Sequence, residues 1–269
     1  MRRPFFVTQP LRMAAPDGSF APRSGRRIGV AVVAIYSLKG GVGKTTLAVN
    51  LAWCAATLSA RRTLVWDLDP QAASTWLLSG DEQARDQAQA VFTRDVEVER
   101  LIRPTPYERI DLIGADASLR SLDRVFHELD KKKRLAKLVG SLGKAYDRLI
   151  LDCPPGLTET SEQVMRAADL IVVPVPPSPL STRAFEEVLR HLDGKRGRAA
   201  LMPVHAMVDR RRKLHAEALA AEPDWPVIPM ASMVETMAAR RAPVGSFAPK
   251  NPATRASADL WQTVERRLK

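Results

Sequence analysis

Ten residues, Ser37 to Thr46, carry more potential chemistry than any other stretch of this chain. They read Ser-Leu-Lys-Gly-Gly-Val-Gly-Lys-Thr-Thr. Gly40, Gly41 and Gly43 let the backbone wrap closely round a ligand, because no Cβ stands in the way. Consecutive N–H groups around Val42, followed by a helix start, favour negative charge. Lys44 is placed to reach the β- and γ-phosphates of a nucleotide. The Thr45 hydroxyl is placed to ligate Mg²⁺, and Thr46 to contact the α-phosphate. The loop departs from the ordinary G-x-x-x-x-G-K-[ST] pattern: Leu38 holds the first glycine position, and a second lysine, Lys39, precedes Gly40.

Such a loop works only where a strand hands over to a helix. Ile28–Tyr36 is a β-branched run that predicts a strand buried on both faces, and Thr45–Leu58 reads as a helix. Further strands are expected at Thr63–Asp67, Arg109–Ile113, Arg148–Asp152, Leu170–Val175, Ala199–Met207 and Pro226–Met230. Helices are expected at Leu119–Leu142, Leu180–Leu192 and Ala253–Leu268. In the second of these, Phe185, Val188, Leu189 and Leu192 repeat at helical spacing. Residues 81–95 are polar and read as an insertion or a solvated helix. Alternation of this kind predicts an α/β fold, a mostly parallel twisted sheet with helices on both faces.

With 45% hydrophobic and 26% charged residues, the 269-residue chain has ample material for a core and is not wholly disordered. No stretch reaches the ~18 uninterrupted apolar residues of a membrane span. Cys54 and Cys153 cannot build a disulfide framework, which fits a cytoplasmic protein. The net charge of +11 points to a polyanionic partner. In residues 1–27, six arginines against one aspartate leave +5. Pro4, Pro10, Pro16 and Pro22 break any periodicity there, so 1–27 reads as a basic disordered tail and 28–269 as a single domain. Arg2-Arg3 is not an export signal, because Gln9, Pro10 and Arg12 interrupt the apolar stretch it would need. A translation start near Met13 or Val30 is the other reading of this region. His127, His191, His205 and His215 lack metal-ligand spacing, and the five tryptophans read as packing. Basic runs lie at Lys131–Arg134, Lys195–Arg198 and Arg210–Lys213.

The K-G-G-x-G-K-T loop resembles the deviant Walker A loop of the ParA/MinD family of partition ATPases, nearest its ParA branch. The resemblance continues along most of 28–269. It implies that Lys39 reaches across a nucleotide-sandwich dimer to the partner's phosphates. Asp67-Leu68-Asp69-Pro70-Gln71 resembles the family's D-x-D-P-Q switch, which implies that Asp69 positions the attacking water and Asp67 supports the magnesium shell. Tyr146–Gly156 resembles the Walker B segment. A carboxylate at the end of a buried strand is costly unless a cation or hydrogen bonds compensate it, so Asp152 is expected to face Mg²⁺ through water. Ile171–Leu180 looks like the V-P-x-x-P-S-P segment. Met207-Val208-Asp209 and Ile228-Pro229-Met230 match the two strand ends that hold adenine, which assigns Asp209 and Pro229 to the base. Glu235 falls where the family often has a glutamate, and Phe247-Ala248-Pro249-Lys250 resembles the usual ending. The family commonly has Arg-Asn where this chain has Met230-Ala231.

The implied cofactors are ATP and Mg²⁺. The implied activity is slow ATP hydrolysis, stimulated by an unidentified partner or cargo adaptor. An ATP-dependent homodimer would bind DNA non-specifically through Arg210, Arg211, Arg212 and Lys213 and so associate with the nucleoid. It would position a plasmid, chromosome locus or protein cluster. The alternative is a MinD-like membrane switch, which needs a spare C-terminal amphipathic helix, whereas here the last helix reads as part of the fold. A metabolic enzyme or an iron–sulfur carrier on the same loop is the third reading. A carrier would need paired cysteines, and Cys54 and Cys153 lack that spacing.

Overall fold

The apolar runs become the middle of one sheet. The computed structural model describes residues 30–79, 88–93, 96–129, 133–193 and 199–269. The tail of residues 1–27 and the run Lys195–Arg198 lie outside them.

In chain order, β1 (Ala31–Ile35) leads through the glycine loop to α1 (Lys44–Leu58), and β2 (Thr63–Asp67) to α2 (Ala73–Leu78). Next come α3 (Ala90–Thr93), β3 (Ile102–Pro104), β4 (Ile110–Ile113), α4 (Leu122–Leu129), α5 (Arg134–Leu142) and β5 (Arg148–Asp152). Then follow α6 (Glu159–Ala167), β6 (Leu170–Val175), α7 (Pro179–Leu192), β7 (Ala200–Val208), α8 (Lys213–Ala221) and β8 (Val227–Pro229). The chain ends with α9 (Ser232–Arg240), α10 (Val244–Phe247) and α11 (Pro252–Arg267).

The eight strands lie in the order β3-β4-β2-β5-β1-β6-β7-β8. All pairs are parallel except β3 with β4. Alternate strand residues feed two cores. Val32, Ala34, Leu64, Trp66, Leu149 and Leu151 join one, with Phe126, Leu135, Val164 and Phe185. Val33, Ile35, Val65 and Ile150 join the other, with Leu47 and Leu51 of α1 and Leu260, Trp261 and Val264 of α11. Burial on both faces is why these strands read as unbroken apolar runs. At the opposite end of the sheet from the glycine loop, Glu265 of α11 accepts from Arg148 at 2.6 Å and from Arg61 at 3.3 Å. Trp261 Nε1 donates to Ser59 Oγ at 2.8 Å. The last helix is thereby locked to the first.

Several sequence expectations need correction. The stretch Leu119–Leu142 is not one helix but a 3₁₀ turn at Ala117–Ser121 followed by α4 and α5. Phe126 and Leu135 are nine residues apart, about half a turn out of phase at ~100° per residue. A continuous helix would put them on opposite faces, yet both enter one core. The 81–95 segment is not wholly solvated either. Val91 and Phe92 are buried, and Phe92 stacks on Trp66 with 5.7 Å between centroids. Not every tryptophan is packing: Trp76 is 56% exposed, with the Arg241 guanidinium 4.3 Å over its ring. Arg134 belongs to no solvated face, because it is buried and donates to the Val91 and Phe92 carbonyls.

Candidate nucleotide site

The glycine loop lies between the C-terminal end of β1 and α1, in the middle of the sheet. Gly41 and Gly43 have φ of +69° and +90°. Both values lie in the left-handed region that side chains avoid, so these positions need glycine. A Cβ built on Gly40 or Gly41 would meet nothing within 4 Å, so open space lies beside both positions. Gly43 is the N-cap of α1 and supplies no side-chain cap, so the first N–H groups of that helix face the loop without a side-chain acceptor.

Both lysines are tied within the loop region. Lys44 is buried, and its ammonium donates to the Lys39 carbonyl at 3.1 Å. Burial pulls its pKa below the ordinary value, against the pull of the Asp152 and Asp69 carboxylates. The Lys39 ammonium donates to Ser181 Oγ near the start of α7 at 3.3 Å. Thr46 supplies a carbonyl that accepts from the Asn50 amide at 2.8 Å.

The carboxylates sit at the ends of neighbouring strands. Asp67 and Asp152 pair in register across β2 and β5. Both are fully buried, so burial and mutual repulsion push Asp67 upward, and burial does the same to Asp152. The hydroxyls of Ser74 and Thr45 and the Lys44 ammonium oppose the shift at Asp152. Asp67 spends its oxygens inside the protein. It accepts from the Thr75 N–H at 2.9 Å, the Thr75 hydroxyl at 2.8 Å and the Asp69 N–H at 3.1 Å. Asp152 accepts from Ser74 Oγ at 2.6 Å, but its Oδ1 is buried without a hydrogen-bond partner. A buried carboxylate oxygen left unpaired is costly, so Asp152 fits a cation or its bound water, with the Thr45 hydroxyl beside it. Asp69 is partly exposed and accepts from the Gln71 N–H at 2.9 Å.

The expected base-binding residues lie at the ends of the next strands, with Val208 and Pro229 paired across β7 and β8. Met207 adopts φ +55°, and its Cε comes within 3.7 Å of a Cβ built on Gly43. The Asp209 N–H donates to His215 Nδ1 at 3.0 Å. Its carboxylate accepts two bonds of 2.9 Å from Arg211, while Arg212 lies 3.7 Å away. Hydrogen bonding to Arg211 holds the Asp209 carboxyl down to about 2. Arg210, Arg211, Arg212 and Lys213 are all exposed, and Lys213 pairs with Glu217 at 3.8 Å. Met233, Ala248, Pro249 and Pro252 line an apolar cavity of about 510 Å³ with Lys250 and Asn251 among its walls.

Among the described residues no cluster of three or more His, Cys, Asp or Glu is arranged to hold a metal, and no helix is long and apolar enough to cross a membrane. His205 and His215 are buried and hydrogen-bonded within the fold. Sequence reasoning missed Ser74, Thr75 and Ser181, the hydroxyls that hold Asp152, Asp67 and Lys39. Nothing in their local pattern marks them out: α2, which carries Ser74 and Thr75, is too short to show a periodicity, and Ser181 is one small polar residue in the first turn of α7.

A family profile described as an AAA domain matches residues 30–198. The sporulation initiation inhibitor protein Soj of Bacillus subtilis is 36% identical over 148 residues, 54% of this chain and 57% of Soj. The chain therefore matches little more than half of that relative's length. The chromosome partitioning protein ParA of Caulobacter vibrioides is 31% identical over 194 residues, 68% of this chain and 72% of that protein. Among solved structures, apo McdA of Cyanothece superposes with a TM-score of 0.74 at 20% identity, covering 89% of this chain and 100% of McdA. The cell division ATPase MinD of Pyrococcus furiosus superposes at 0.71 and 21% identity, covering 88% and 98%. Loop, strand order and sequence relatives agree, and the chain belongs to the ParA/MinD family of P-loop ATPases.

Proposed function

We propose that this protein is a positioning ATPase of the ParA kind. It binds ATP, pairs into a sandwich dimer, holds DNA without regard to sequence and releases it on hydrolysis. The observation that carries the reading is the concentration of charge at one end of the sheet. An open glycine loop, two lysines and a buried carboxylate with an unpartnered oxygen meet there.

Each residue then has a role. The amides of Gly40–Gly43 and the start of α1 take up phosphate charge, and Lys44 exchanges the Lys39 carbonyl for phosphate oxygens. Thr46 bonds the α-phosphate. Thr45 and Asp152 hold Mg²⁺, with Asp67 behind them fixing α2. When bound, Mg²⁺ supplies charge neutralisation between the phosphates. Asp69 orients the attacking water. Among the described residues no strong general base stands at this site, so turnover is slow until a partner completes it. Asp209 and Pro229 hold the base. Arg210, Arg211, Arg212 and Lys213 contact DNA phosphates, and two copies on one dimer add their weak contacts. Such a protein resides in the cytoplasm on the nucleoid and moves a plasmid, chromosome locus or protein cluster. The apolar face of α11 is spent on α1, which leaves that helix nothing to offer a lipid surface.

Light scattering with and without ATP tests the reading. Wild type should double in mass with ATP. Lys39→Ala should bind nucleotide yet stay monomeric, and Asp69→Ala should remain trapped as a dimer. An Asp69→Ala chain that stays monomeric with ATP contradicts the role given to that carboxylate.

A further inference from the structure

Lys39 occupies an electrostatically awkward place. Its ammonium lies against the start of α7, where the helix end carries partial positive charge and the first turn holds no acidic residue. Among the described residues no carboxylate pairs with it. What holds it is one hydroxyl, itself bonded to a second. Ser181 Oγ accepts from Lys39 Nζ at 3.3 Å, and Ser178 Oγ lies 2.8 Å from Ser181 Oγ. Ser178 is also the N-cap of α7, accepting from the Ser181 N–H at 3.3 Å, so the pair is fixed by the helix itself. Ser181 is only 4% exposed. At the other end of the residue, the Lys39 N–H donates to Ser37 Oγ at 3.3 Å while its carbonyl receives Lys44.

From this geometry we infer that Ser181 is a positioning residue for Lys39. It keeps the ammonium inside its own subunit while no nucleotide charge is present, and so sets the ATP concentration at which two chains pair. The inference rests on the dimer reading above. The hold has the right strength for a threshold. A neutral hydroxyl against a repelling helix end retains the lysine weakly, and phosphate charge readily outbids it. The rest of α7 does not depend on the Ser181 hydroxyl, because its cap comes from the Ser178 side chain.

Two measurements on the full chain test this. The first is the rate of amine labelling at Lys39 in the nucleotide-free protein, read by mass spectrometry against Lys44 in the same sample. One net hydrogen bond corresponds to a factor of about 5, so Ser181→Ala should label Lys39 about 5-fold faster. Ser181→Thr, which keeps a hydroxyl, should label at the wild-type rate. The second is the midpoint of dimer formation in a slowly hydrolysed ATP analogue. It should fall by about the same factor in Ser181→Ala and return in Ser181→Thr. Equal labelling in wild type and Ser181→Ala overturns the hold. Faster labelling with an unchanged midpoint overturns the threshold. A wild-type chain that never dimerises refutes the dimer reading and the threshold together, while labelling still decides whether Ser181 holds the lysine.

Discussion

Replacing Thr75 by valine keeps the shape of the side chain and removes one oxygen from the most buried part of the site. That oxygen works twice. It donates to Asp67 Oδ2 at 2.8 Å and accepts the Ala115 N–H at 2.8 Å. Thr75 is buried, so no water replaces either bond. An orphaned buried N–H costs ~1–3 kcal/mol, and a lost bond to a carboxylate ~1.5–3 kcal/mol. Asp67 retains the Thr75 and Asp69 amides, which absorbs part of the second loss. The expected cost is therefore about 2–4 kcal/mol, large against the ~5–15 kcal/mol of a whole domain. The loss should also depend on pH. Burial raises the folded pKa of Asp67 above its unfolded value, so the folded chain holds an extra proton and stability falls as pH rises above the ordinary carboxylate range. The Thr75 hydroxyl favours the ionised form, so its removal should raise the folded pKa further and carry that fall to higher pH. Urea unfolding followed by circular dichroism measures both effects. The midpoint should drop with an unchanged slope, and more at alkaline than at mildly acidic pH. A loss below ~0.5 kcal/mol at both would refute the claim that this hydroxyl braces the paired strand ends.

Three further outcomes are expected. Gly245→Ala should destabilise by ~1–3 kcal/mol through overpacking, because its Cβ would lie 2.3 Å from Trp53 Nε1; a thermal melt reads this. Lys44→Ala should abolish ATP binding in equilibrium dialysis, since the phosphates lose their main cation, and retained affinity would count against the loop. Changing Arg210, Arg211 and Arg212 to glutamate should weaken ATP-dependent binding to every duplex alike and flatten the salt slope of log affinity, which runs at about −0.9 per phosphate neutralised. Deleting residues 1–27 is the control: if it removes all DNA binding while the triple substitution removes none, the tail is the DNA contact.

The parts legible in the sequence were those whose physics is local. A strand buried on both faces must be apolar throughout, so β1, β5 and β6 announced themselves, and a glycine loop between strand and helix has few other uses. The short antiparallel β3 did not, because Arg103 and Pro104 are exposed and leave no apolar alternation to read. The division of α4 from α5 was hidden for a related reason. Both halves are good helix formers, and only the direction of the core separates them. At the site, Asp67 and Asp152 could be named from sequence, but their different uses could not. Which oxygen is satisfied depends on Ser74 and Thr75, brought to the strand ends by a helix of six residues.

Because α1 waits for α11, this protein cannot close its core in the order in which it is made. Leu47 and Leu51 leave the ribosome about two hundred residues before Leu260, Trp261 and Val264, which share their core. The glycine loop is therefore translated long before the helix behind it has its final support. A nascent chain halted before residue 252 would display the apolar flank of α1 to the cell and become a client for chaperones or a seed for aggregation. Loss of the last helix through a premature stop should therefore abolish soluble protein rather than yield a smaller, weaker ATPase.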